Sequence, residues 1–198
     1  MFDSIIPIGE TCNTTFLLQN AKLKKMTTLF EYFRSPSLKD ITDVLIKIAN
    51  HTDHDLLHEK ESQLFMGDHI YSSHYSLNTY REIYDRRRNR LIETIMNSKK
   101  ILFCRFETIS VDHTQEDIDL FISTIHSIHK ELEIKILFIT PGFGLEHPNI
   151  FKVFYDKVSS DPYCTSSEIN DLFVNTLQEL GYDLSDTTEE IFHDKSDF

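Results

Sequence analysis

"KILFCRF", residues 100–106, places Ile, Leu, Phe, Cys and Phe around a single internal charge, with none of the polar alternation of a half-solvated strand. A run of this length and β-branched, aromatic character reads as a strand covered on both faces, the usual state of a parallel sheet. "IKILFIT" (134–140) has the same character, "SIIPI" (4–8) is a shorter version, and "IFKVFY" (150–155) supplies a further candidate strand. Helical patterns fill the intervals. Phe16, Leu17 and Leu23 predict a helix after Cys12. Ser37 with Asp40 forms a capping pair ahead of Leu38, Ile41, Val44, Leu45 and Ile48. Tyr80, Ile83, Tyr84, Leu91 and Ile95 mark a third helix. Thr114 with Asp117 opens a fourth carrying Ile118, Phe121, Ile122, Ile125 and Leu132. A fifth runs over 167–180 and stops at Gly181, the residue suited to the position past a helix end. Strands alternating with helices specify an α/β fold, a central and mostly parallel sheet flanked by helices in three layers.

Residues 50–78 lack a clear period and read as long loops. No segment repeats at a fixed period. The chain of 198 residues suits one domain, assigned here to 1–182, with 183–198 as an acidic, loosely held tail. With 40% hydrophobic residues, 15 Phe and 8 Tyr, it can fill a sizeable core without Trp.

A formal net charge of −12 argues against binding nucleic acid or an anionic membrane, which requires a basic surface. No apolar run reaches the length of a membrane span. The start "MFDSIIPIGE" carries an acid where a signal peptide carries bases. Cys12, Cys104 and Cys164 are far apart with no CxxC pair, as expected for reduced thiols and a cytoplasmic location. "RRRNR" (86–90) is a local basic exception. On a helix Arg86 and Arg90 share one side, and the run reads as a solvated face.

In an open parallel sheet the ligand crevice lies at the carboxyl ends of the strands. The first strand ends in Gly9-Glu10-Thr11-Cys12, the second in Arg105-Phe106-Glu107, and the third in Thr140-Pro141-Gly142-Phe143-Gly144. Cys12 stands where the strand hands over to a helix, and helix-terminal N–H groups favour a thiolate and can hold an oxyanion. With pairing to Glu107 on the same strand face as the alternative for Arg105, this expectation makes Gly9, Glu10, Asn13, Arg105 and Glu107 the substrate contacts of a nucleophile of lowered pKa, Cys12. A bland alternative makes it a packing residue. A nucleophilic thiol needs a base. His51, His54 and His58 have helical spacing that would suit a metal site but read first as a solvated polar face, and His126 and His129 as exposed or edge positions. His74, in the polar loop "YSSHYSLN", is the candidate base. These features call for no metal or organic cofactor. The reaction expected is hydrolysis or acyl transfer on a peptide, ester or thioester, the substrate being a peptide or a small acyl or glycosyl compound. Two alternatives stand beside it: a carbohydrate- or nucleotide-handling protein with Arg105 as anion contact, and a non-enzymatic interaction module.

The stretches "IGETC", "KLKKMTTLFEYF", "SSHYS", "YDRRRNRL" and "ILFCRFE", spread over roughly residues 5 to 145, resemble a bacterial and viral family of unknown function described as papain-like cysteine peptidases. The resemblance implies Cys12 as nucleophile, His74 as base and Glu31 as an orienting acid. Leu29-Phe30-Glu31-Tyr32 stands where that family has a Pro-Phe-Asp-Trp-like motif, so a longer acid replaces Asp. The alternation of strands and helices departs from a papain-type domain and resembles, in topology only, GDSL-type hydrolases with Ser at a comparable place.

Overall fold

A computed structural model of the chain describes residues 2–24, 26–142, 144–155 and 167–182. Its main sheet contains β1 (Ser4–Pro7), β5 (Lys100–Phe106), β6 (Glu133–Thr140) and β7 (Ile150–Phe154), all parallel and in the order β1-β5-β6-β7. The run at 100–106 is thus the strand inferred from its composition, lying inside the sheet between β1 and β6. Both of its faces are covered. Ile101 and Phe103 join a core with Ile6, Ile8, Ile134, Ile136 and Phe138 of the neighbouring strands. Helices α2 (Leu38–Ala49), α3 (Leu77–Asn97) and α4 (Gln115–Ile128) complete that layer through residues such as Val44, Tyr80 and Phe121. Leu102, Cys104 and Phe106 point the other way, into a core built with Leu17 of α1 (Asn13–Asn20) and Phe173 of α5 (Ser167–Glu179). The period-two alternation along β5 therefore serves two cores at once, which makes the three-layer α/β arrangement.

The helix boundaries follow from local chemistry. Ser37 accepts from the Asp40 N–H at 3.3 Å, and the Asp40 carboxylate accepts from the Ser37 N–H at 2.9 Å, a complete capping box. Thr114 and Asp117 repeat it on α4. Past α5, Gly181 has φ +76°, its N–H donates to the Gln178 carbonyl, and the Tyr182 N–H donates to the Leu177 carbonyl. This pair of bonds is the glycine-terminated helix end expected from the sequence.

One region differs from expectation. Residues 50–78 contain three antiparallel strands, β2 (Leu57–Lys60), β3 (Gln63–Met66) and β4 (Ile70–Ser72), in a second sheet. Glu61 and Ser62 link β2 to β3 with φ of 51° and 63°. A tight hairpin turn with two positive φ values usually takes Asn-Gly, so Glu-Ser concealed it. The expected C-terminal tail, 183–198, and Cys164 lie outside the described residues. Among the described residues no helix is long and apolar enough to cross a membrane.

Candidate functional site

Two adjacent parallel strands send their following helices to opposite faces: β1 leads to α1 on one side, and β5 leads to α4 on the other. Such a divergence opens a crevice between the strand ends. The ladder continues past β1, where Ile8 N–H donates to the Cys104 carbonyl at 2.8 Å and Glu10 N–H to the Phe106 carbonyl at 3.1 Å. The Glu10 carboxylate then accepts from the Thr108 N–H at 2.6 Å and from its hydroxyl at 3.0 Å, fastening the two strand ends together.

Gly9 is required by close approach. The Thr14 hydroxyl accepts from the Phe106 N–H at 3.1 Å, and a Cβ on Gly9 would lie 1.9 Å from that oxygen. Gly9→Ala should therefore destabilise the fold by about 1–3 kcal/mol, the range for overpacking. Adding Thr14→Ala should recover part of the loss in a denaturant titration. Strict additivity of the two substitutions would show that they do not oppose each other.

Cys12 is the N-cap residue of α1, half-buried, with φ −63° and ψ −8° and no side-chain capping bond. Burial pushes its thiol above the ordinary value, and a hydrogen bond to its own backbone and the Arg34 charge only partly offset this. The expected depressed pKa is thus corrected: desolvation of the sulfur outweighs the favourable groups. The neighbouring Asn13 is 2% exposed, and its Nδ2 has no hydrogen-bond partner. Cys104, in the apolar strand, is fully buried, and burial pushes its thiol up as well.

His74 reaches the same neighbourhood through the segment 32–35. Ser35 N–H donates to the Glu10 carbonyl at 3.0 Å, and the Ser35 hydroxyl donates to the Gly9 carbonyl at 2.8 Å, so this segment lies against the Cys12 turn. Arg34 and Tyr71 exchange backbone hydrogen bonds at 2.7 and 3.0 Å. The Ser72 hydroxyl donates to the Tyr32 carbonyl and accepts from the His74 N–H. The exposed His74 ring stands edge-on to Tyr32, with centroids 6.0 Å apart. Tyr32 itself holds φ +65°, a backbone state uncommon for a side chain of its size. No hydrogen bond joins His74 to Cys12.

Glu31 does not orient His74. It is 1% exposed and accepts from the Thr28 N–H at 2.6 Å, while Lys24 Nζ lies 2.8 Å from its other oxygen. That oxygen makes no hydrogen bond of good geometry, so the Lys24 contact is an ion pair rather than a directed bond. Burial pushes the Glu31 carboxyl above its ordinary value, against Lys24 and Thr28. Its role is structural, within the turn that precedes Tyr32.

Arg105 also departs from expectation. It is fully buried, and its guanidinium donates to Glu107 Oε1 (2.8 Å), the Ile8 carbonyl (3.0 Å), Ser35 Oγ (2.9 Å), and the carbonyls of Ser35 (3.0 Å) and Pro36 (3.2 Å). A guanidinium has five N–H donors, so none is left for a substrate anion. Glu107, likewise buried, bonds His113 Nε2 at 2.6 Å. Burial works against its charged form, but His113 and Arg105 outweigh it and hold the carboxyl below its ordinary value. Arg105 and Glu107 are therefore a buried brace, not substrate contacts. The "RRRNR" run is corrected too. Arg87 is fully buried beside Tyr75 and Tyr80, and Arg88 pairs with Asp53 at 2.6 Å. His51 follows the end of α2, His54 sits in a turn and His58 in β2, so the three share no helix face. Among the described residues no group of three or more His, Cys, Asp or Glu is placed to hold a metal ion.

Sequence reasoning passed over Arg34, Ser35 and His113, which sit in short connections with no periodic pattern to point to them. Comparison with protein-family models, curated proteins and solved structures finds no match.

Proposed function

We propose that the chain is a thiol-dependent hydrolase or acyl transferase acting on a peptide, ester or thioester bond, with Cys12 as nucleophile and His74 as base. The observation that carries this reading is the position of Cys12, half-exposed at the N-terminus of α1 just past the end of β1, the strand paired with β5. Because burial keeps the thiol protonated at rest, attack needs a base at the moment of reaction rather than a preformed thiolate. In this reading His74 takes the thiol proton as sulfur bonds to the carbonyl carbon. The tetrahedral oxyanion is held by N–H groups of the first helical turn. Collapse expels the leaving group, which takes the proton from the imidazolium. Water, deprotonated by the neutral imidazole, then cleaves the thioester and restores the thiol. The His74 loop rests on the 32–35 segment through a few hydrogen bonds, and the mechanism requires this loop to move on substrate binding so that the ring meets the sulfur.

Hydrolysis of 4-nitrophenyl acetate tests the role of the base. His74→Ala should lower the rate by about 10²–10⁴, the usual contribution of a positioned base, and the deficit should shrink as pH rises and thiolate forms unaided. A His74→Ala rate equal to that of the parent chain at neutral pH would remove His74 from the mechanism.

A further inference from the structure

We infer that the Cys12 site takes an acyl substrate carrying a carboxylate close to the reacting carbonyl, held by the Arg34 guanidinium; the inference rests on the thiol-dependent reading above. The chain holds 32 Asp and Glu against 20 Lys and Arg, so carboxylates are in surplus for pairing with its cations. Lys24 is taken by Glu31, Arg88 by Asp53 and Arg105 by Glu107. Arg34 is exposed, and its guanidinium has no hydrogen-bond or ion-pair partner among the described residues. It is nonetheless held in place. Its backbone is fixed on both sides by Tyr71, and its guanidinium lies 5.8 Å from the centre of the Tyr71 ring.

The next residue, Ser35, bonds to Gly9 and Glu10, which sets Arg34 beside the turn that carries Cys12. The Arg34 charge also acts on the Cys12 thiol. A second, independent observation comes from Asn13, whose buried Nδ2 lacks any acceptor. A buried donor left unpaired is costly, and a ligand oxygen in this turn would satisfy it. A planar carboxylate matches the guanidinium fork. One guanidinium also balances one charge, whereas a phosphate dianion would leave a surplus on a chain already at −12.

Two alkylating reagents that differ in charge test this. Iodoacetate and iodoacetamide both undergo attack by the thiolate on carbon with loss of iodide. The ratio of their rates at Cys12 therefore cancels any change in thiolate fraction. Relative to the same ratio for N-acetylcysteinamide, the parent chain should favour iodoacetate by roughly tenfold, the scale of one charge-assisted contact. Arg34→Gln should return the ratio to that of the free thiol, and Arg34→Lys should retain part of the preference. A parent ratio equal to the free thiol's, or one unchanged in Arg34→Gln, overturns the carboxylate inference and leaves the thiol reading standing. Failure of both reagents to label Cys12 overturns the thiol reading itself and this inference with it.

Discussion

Arg105→Ala should lower the melting temperature by roughly 6–20 °C, the largest stability effect of any single substitution considered. The side chain is fully buried and donates to Glu107, Ser35 and three main-chain carbonyls, those of Ile8, Ser35 and Pro36. Those bonds tie the end of β5 to the end of β1 and to the entry of α2. Truncation leaves the Glu107 carboxylate with His113 alone and orphans acceptors in a region closed to water. Breaking a buried charged pair costs about 3–5 kcal/mol, and each kcal/mol shifts the midpoint of a chain this size by about 2–4 °C. Arg105→Lys should recover little, because one ammonium cannot serve acceptors spread around a planar fork. A thermal midpoint within about 2 °C of the parent chain for Arg105→Ala would mean that the five bonds contribute almost nothing net.

Cys12→Ala should show the reverse pattern. The thiol is half-buried, makes no capping bond and belongs to neither apolar core, so its removal should leave stability within about 1 kcal/mol of the parent. Acyl-transfer activity should nevertheless fall by about 10³ or more, since loss of a nucleophile removes the covalent route altogether. Cys104→Ala supplies the contrast. That residue lies in the core on the α1 side of β5, where deleting the sulfur opens a cavity, so it should lose stability while leaving the chemistry in place. If Cys12→Ala melts well below the parent, Cys12 is a packing residue after all.

The fold was legible where pattern and burial coincide. Strands covered on both faces must be mostly apolar, and 100–106 and 134–140 satisfy that, with Arg105 as the buried exception. Both capping boxes were visible as residue pairs three apart. Position 87 was also readable in principle: Tyr80, Tyr84, Arg87 and Leu91 follow one helical stripe, and the structure buries all four. Charge hid it, since a run of arginines reads as solvated unless spacing is given more weight than composition. The small sheet escaped because its strands have only three or four residues and its tight turn uses Glu-Ser. At the site, the rim rule located Gly9, Glu10 and Cys12 beside the end of β5. It could not tell a brace from a contact, because Arg105 and Arg34 are both arginines next to the crevice. What separates them is the number of partners each finds, a tertiary property. The direction of the Cys12 pKa was misjudged for a similar reason: the helix terminus is a local feature, whereas desolvation depends on what the rest of the chain packs around the sulfur.

The central claim is that Cys12 forms a covalent acyl intermediate. Brief reaction of the protein with 4-nitrophenyl acetate at neutral pH, followed by acid quench and peptide mass mapping, tests it most directly. The account predicts an acetyl group on Cys12, absent in Cys12→Ala and accumulating in step with the first release of nitrophenolate. Acetylation confined to lysines, with nitrophenolate release unchanged in Cys12→Ala, would contradict it and leave the chain as a binding module.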